Sequence, residues 1–308
     1  MNRKLFTAIF FLLSLLFLLK GFQSPVIGED KKGEDVRDPI LAGTWYPGNK
    51  KALINSIRDY LSKAKDRSIE GELKAIIVPH AGHIYSGQVA AHAYRLLQEM
   101  DFKRVIMIGP SHRVGFKGAS TSLQSGYRTP LGTVPVDQSL AKKIIDISPQ
   151  IRWVPRAHAQ EHSLEIQLPV LQTVLSDFQI VPIVMGQQDF NTCSDLAGSL
   201  VKVLGNMEKT LILASSDLSH FHNYNQAKRL DKEFAKHIRN FDPTGLANSL
   251  SSGSCEACGG GPVITVMLMA KASGANRMMI LNRANSGDVT GDHRRVVGYL
   301  SAALLRVN

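Results

Sequence analysis

Four apolar runs decide most of what this chain can become. Residues 73–79 ("LKAIIVP"), 104–110 ("RVIMIGP"), 179–185 ("QIVPIVM") and 209–215 ("KTLILAS") are short and rich in Ile, Val and Leu. Runs of this length and make-up predict strands buried on both faces. Helix-period segments lie between and around them, over 50–65, 87–100, 137–147, 163–175, 192–204, 224–241 and 261–273. "RMMILNRANSG" and "RRVVGYLSAALLR" predict two further strands near the C-terminus. Strands alternating with helices imply an α/β fold, with a central mixed or mainly parallel β-sheet and helices on both faces. No Pro/Gly-rich break interrupts residues 39–308, so they read as a single domain.

The first 28 residues are of another kind. Arg3 and Lys4 precede an uncharged apolar run over residues 5–19. That run is shorter than the roughly 20 residues a spanning helix needs, and it suits a signal-peptide core. Residues 1–28 are expected to be a signal peptide or an N-terminal membrane anchor, and 29–38 ("EDKKGEDVRD") a polar linker. The expected location is therefore outside the cytoplasm, periplasmic or anchored facing outward, with membrane contact only through this segment. The formal net charge is +10, but Arg3, Lys4 and Lys20 contribute to it from the leader. The other basic residues are interspersed with acids, which argues against a nucleic-acid groove.

Ligands of open α/β sheets bind beyond the carboxyl ends of the strands. "VPHAGHIYSG" places His80 just past one such end, "IGPSH" places His112 past another, and "ASSDLSHFH" places Asp217 and His220 past a third. Neutral imidazole is the commonest protein ligand for several transition metals, which makes His80 and His112 candidate ligands. His83 reads as a wall residue, and Gly82 and Gly87 as positions that let the following turn and helix pack closely. "RAHAQEHSLEIQLPVLQ" carries His158, Glu161, His162 and Glu165. The acids are either a polar helix start or, for Glu161 and His162, the lining of a pocket. The spacing does not match H-E-x-x-H, so a metalloprotease is excluded.

Cys258 precedes three glycines, Pro262 and an apolar helix, a setting expected to lower a thiol's pKa and favour a nucleophile or soft ligand. The other cysteines are Cys193 and Cys255. An odd number leaves at least one unpaired, while Cys255 and Cys258 could bond to each other. Asp288 and Asp292 lie in a Gly/Asp-rich stretch that reads more simply as turns than as a cation site.

"AGTWYP", "VPHAGHIYSG", "IGPSH", "RTPLG", "EHSLEIQLPVL", "SSDLSHF" and "CGGGPV" occur here in this order. In that order they resemble the Memo family, whose bacterial members are also called AmmeMemoRadiSam system protein B. The resemblance covers residues 39–306. It implies a fold related to the class III extradiol dioxygenases, with a metal pocket at the strand ends. It also implies His80, His112 and Cys258 as metal-site residues, with Cys258 where those dioxygenases carry a glutamate. His220, with Asp217 beside it, matches the pocket acid/base, and Glu161 and His162 match pocket-lining positions. A thiol in place of a carboxylate implies iron or copper, with zinc the remaining candidate. Cys255 departs from the family's pattern.

Two functions follow as expectations. One is a metal-dependent oxidoreductase, dioxygenase-like, in which His220, Asp217 and His162 serve catalysis. The other is a non-catalytic module that binds a peptide, small molecule or partner through a vestigial metal site. A hydrolase built on Cys258 and His220 has no identifiable third group. The family name further implies radical-SAM and AMMECR-like partners.

Overall fold

The computed structural model describes residues 35–205 and 208–308. In chain order the strands are β1 (Val36–Arg37), β2 (Glu72–Val78), β3 (Arg104–Pro110), β4 (Ala119–Thr121), β5 (Gly126–Thr129), β6 (Gly132–Pro135), β7 (Ile151–Arg152), β8 (Gln179–Met185), β9 (Thr210–Ser215), β10 (His220–His222), β11 (Arg277–Asn285) and β12 (Val296–Arg306). The helices are α1 (Lys50–Lys63), α2 (His83–Tyr94), α3 (Gln138–Ile147), α4 (Pro155–Ala159), α5 (His162–Glu165), α6 (Leu168–Val174), α7 (Phe190–Leu204), α8 (Tyr224–Arg239), α9 (Pro243–Ser251), α10 (Gly260–Ala272) and α11 (Ser286–Thr290).

Local chemistry sets many of these boundaries. Asn49, Asp137, Asp189, Asn223 and Asp242 each cap a helix, the side-chain oxygen accepting a backbone N–H of the first turn. The four apolar runs become β2, β3, β8 and β9, which form the parallel centre of the main sheet. Its order is β10-β12-β2-β9-β3-β8-β4-β7, with β11 pairing β12. β12 runs antiparallel to β2, and β4 antiparallel to β8, so the sheet is mixed as expected.

Alternate residues of the central strands face opposite ways, and both sides are apolar. Ile77, Ile106, Ile108, Ile183 and Ile212 pack under α7 and α10, whereas Ile76, Val78, Met107, Leu211 and Leu213 pack under α1 and α2. Because β2, β9 and β3 are adjacent and parallel, their carboxyl ends lie side by side. Val78 pairs with Ser215, and Ile108 with Ala214. The loops carrying His80, Asp217 and His112 therefore leave the sheet together.

The folded unit begins earlier than residue 39. Val36 and Arg37 pair with Gly126 and Tyr127 in a small sheet completed by β6, and Arg37 is buried. Residues 36–38 thus belong to the domain and not to the linker. The helix expected over 163–175 is two helices, because Pro169 sits in the first turn of α6. No helix among the described residues is long and apolar enough to cross a membrane. The signal peptide or anchor expected over 1–28 lies outside the described residues.

Candidate metal centre

His80 ends the turn that follows β2. Its backbone N–H donates to Asp217 Oδ1 at 2.7 Å, and the N–H of Ala81 donates to the same oxygen at 3.3 Å. Asp217 thereby ties the β2 loop to the β9 loop. The Cys258 N–H reaches back to the Asp217 carbonyl at 3.3 Å, which brings a third loop to the same place. Gly259 is required there, since a Cβ would stand 2.4 Å from the Ser215 carbonyl oxygen. Gln188 braces the turn from the other side, its amide donating to the Cys258 carbonyl and accepting from the Gly261 N–H, both at 2.9 Å.

The result is a cluster of donors. Cys258 Sγ lies 3.1 Å from His80 Nε2. Ligand atoms of His80, His112 and Cys258 all fall within 4.8 Å of one another. The His80 and His112 rings meet edge to face at 5.1 Å between centroids. His112 is oriented by Glu161, whose carboxylate takes its Nδ1 at 2.8 Å and its backbone N–H at 2.7 Å. His162 packs on His112 at 4.2 Å between centroids, and Trp45 packs on His162 at 4.8 Å. Glu161 Oε1 is 3.5 Å from His162 Nδ1, so His112, Glu161 and His162 form a second, overlapping donor group.

Burial governs the protonation of this cluster. It pushes His80 down to about 3, helped by the neighbouring His112 and His220 rings, so the imidazole is neutral at physiological pH. Burial, with His80 and His112 beside it, also holds His162 low. Burial alone would raise Glu161, but the bonds from His112 outweigh it and keep this carboxylate ionised. Burial raises Asp217 above the ordinary carboxylate range. The thiol of Cys258 departs from expectation. Position before a helix was expected to lower its pKa, yet burial and the Asp217 charge drive it well above the usual thiol range. Partial desolvation of this half-buried sulfur, together with the Asp217 charge, outweighs a partial dipole charge.

His220, on β10, is half-buried and lines a cavity of about 440 Å³ together with Cys258, Cys255, Glu256, Gln188 and Gly261. A matching sequence accompanies this geometry. Residues 37–303 match the family model described as "Memo-like protein". The chain belongs to the Memo family. It is 38% identical over 277 residues to a MEMO1 family protein of Methanobrevibacter smithii, covering 86% of this chain and 98% of that one. It is 35% identical to a MEMO1 family protein of Nitrosopumilus maritimus, covering 86% and 98%. Among solved structures it is similar to an uncharacterized protein of Escherichia coli K12, at a TM-score of 0.53 and 14% identity. That likeness covers 75% of this chain and 99% of the other, and it concerns the fold alone.

In this Memo-family chain several sequence candidates lie away from the cluster. Glu165 accepts from Arg37, Tyr46 and the N–H groups of Ile40 and Leu41, and so holds the N-terminal strand down. His158 is buried against Tyr127 and Ser120. His83 is buried, its Nε2 on the Ile166 carbonyl and its ring near Tyr46. Gly87 abuts the Tyr60 ring, where a Cβ would come within 2.9 Å, whereas Gly82 has ordinary room, 3.5 Å to the nearest atom. Asp288 closes a capping box and Asp292 pairs with Arg294, as turn chemistry explains. Cys193, Cys255 and Cys258 are free thiols.

Ser215, Gln167, Gln188 and Trp45 were not singled out by the sequence. Ser215 is a polar residue closing an apolar strand, and Gln167 an uncharged polar residue inside an apolar stretch. Those placements are the signals that point to them.

Proposed function

We propose that this chain binds one metal ion through His80, His112 and Cys258 and acts as an oxygenase-type redox enzyme. Asp217 and His220 are the groups that hold and move protons. The supporting observation is the meeting of three donor atoms, contributed by three separate loops, within 4.8 Å. The donors suit a metal. Tetrahedral ligation places nitrogen and sulfur ligands roughly 3.5 Å apart, and His80 Nε2 and Cys258 Sγ stand 3.1 Å apart. Two imidazoles with one thiol favour iron or copper, with zinc also compatible. An iron or copper ion would supply Lewis acidity and one-electron chemistry.

The chain's own residues do the rest. Asp217 keeps its proton to higher pH than an exposed acid and holds the His80 turn in place. His220 lines the same cavity as Cys258, which supports a proton-handling role toward a ligand held there. A cavity of about 440 Å³ admits a small aromatic.

The test is oxygen uptake by iron- or copper-loaded protein across a panel of catechols. Uptake above the metal-free background, lowered about 10²-fold or more in His220→Ala, supports the enzyme. Full metal loading with no uptake on any catechol contradicts it.

A second reading rests on a separate observation. Trp45, Ile84, Tyr85 and Phe221 are exposed around a cavity of about 650 Å³ that also includes Ala81 and Gly82, next to His80. An apolar, aromatic surface of this kind suits a non-catalytic module that binds a peptide or small molecule. Metal binding without turnover in the same oxygen-uptake experiment favours it.

A further inference from the structure

Ser215 Oγ sits at a junction of three hydrogen bonds. It lies 2.6 Å from the Ser163 carbonyl oxygen, 2.8 Å from Gln167 Nε2 and 3.0 Å from His80 Nδ1. A hydroxyl offers one hydrogen and two lone pairs. Two oxygens 2.6 Å apart need a hydrogen between them, and a carbonyl has none, so the hydrogen of Ser215 points at Ser163. The amide of Gln167 fills one lone pair. Its orientation is fixed by the Pro79 carbonyl, 3.0 Å from Nε2, which would repel an oxygen placed there. Gln167 Oε1 then accepts from Tyr94 Oη at 2.6 Å. One lone pair of Ser215 remains, and His80 Nδ1 faces it. The ring must be the donor.

We propose that Ser215, steadied by Gln167 and Tyr94, is a positioning residue that locks His80 in the tautomer protonated at Nδ1. Nε2 then presents its lone pair beside the Cys258 sulfur. Tyr94, Gln167 and Ser215 are all buried, so bulk water does not compete for these bonds. A metal binds the unprotonated nitrogen of a neutral imidazole, and the bond made by the other nitrogen sets which one that is. The two candidate ligands are set differently. A carboxylate holds the Nδ1 of His112, and a neutral hydroxyl whose direction is fixed further from the site holds that of His80.

The proposal rests on reading His80 as a ligand, so its test begins with metal-free protein. Long-range proton–nitrogen NMR of histidine-labelled apo protein reads the tautomer directly. The expected wild-type result is a protonated Nδ1 and a bare Nε2 at His80. Ser215→Ala is expected to lose that preference and to bind metal 10- to 100-fold more weakly. Ser215→Thr, which keeps the hydroxyl, is expected to recover both. A proton on Nε2 in the wild type overturns the proposal, as does an unchanged tautomer or unchanged metal affinity in Ser215→Ala. The wild-type measurement needs no variant, so a folding failure in Ser215→Ala does not shelter the proposal. A wrong tautomer in a metal-binding protein sinks the relay alone. The expected tautomer in a protein that takes up no metal sinks the metal reading and, with it, the positioning role.

Discussion

Glu161 and Glu165 stand one helical turn apart, both buried, in two neighbourhoods of different kinds. Around Glu165 every partner belongs to the scaffold. The Arg37 guanidinium at 2.6 Å, the Tyr46 hydroxyl at 2.8 Å and the N–H groups of Ile40 and Leu41 occupy its oxygens. Around Glu161 the chief partner is His112, an imidazole with a second nitrogen left over for other use. A buried carboxylate bonded to permanent charges and backbone closes a structure. One bonded to an imidazole passes its influence to the far side of a ring. The neighbours, and not the carboxylates, separate scaffold from site.

The strongest way to break that contrast is to remove Glu165. Glu165→Ala leaves Arg37 buried without its acid, and about 3–5 kcal/mol of stability should go. Urea unfolding checks this, and the folded fraction should keep its metal affinity. A loss under about 1 kcal/mol would mean that the Arg37 cluster does not hold the N-terminal strand.

Acid should reach the scaffold through His158 as well. Burial lowers this ring from 6.5 to about 3. Between those values the unfolded chain takes up a proton that the folded ring refuses, so stability falls as pH drops from 6.5 toward 3. Each such ring contributes up to about 1.4 kcal/mol per pH unit inside the window. Stability against pH between 6 and 4 should therefore be shallower in His158→Gln than in the wild type, whatever the variant's absolute stability. Parallel curves would contradict the buried neutral ring.

Glu161→Gln sharpens the contrast from the other side. It keeps one acceptor oxygen, puts an amide NH2 group where the other oxygen accepted from the N–H of His112 or of Ser163, and loses the charge behind His112. Metal affinity should fall 10- to 100-fold, with a stability loss smaller than that of Glu165→Ala. If stability collapses while affinity holds, Glu161 belongs with the scaffold. The smallest effect is expected at Asp292, an exposed partner of Arg294. Asp292→Asn should leave both metal content and urea midpoint unchanged.

The sheet was largely legible because its central strands are buried on both faces and so read as unbroken apolar runs. Short elements were not. β1, β4 and β7 span two or three residues and exist only through distant pairing, as Val36 does with Gly126, and the β5–β6 hairpin has strands of only four residues. Arg37 looked like linker because nothing near it in sequence announces Glu165, 128 positions away. At the candidate site, His80 and His112 were visible from their place after strands, and the fold brings both beside Cys258. Ser215 and Gln167 are marked in the sequence only as polar residues closing or interrupting apolar stretches, since their part depends on which way a hydroxyl points. The pKa direction of Cys258 differs from the sequence expectation because local sequence shows the helix that follows, and neither the desolvation of the sulfur nor the Asp217 charge beside it.

The most direct test is the metal content of anaerobically purified protein, measured by elemental analysis beside a His80→Ala, His112→Ala double variant. Close to one iron or copper per wild-type chain, lost in a folded double variant, is the predicted result. Equal metal in both proteins, or none in the wild type even after reconstitution with iron, copper or zinc, would contradict it.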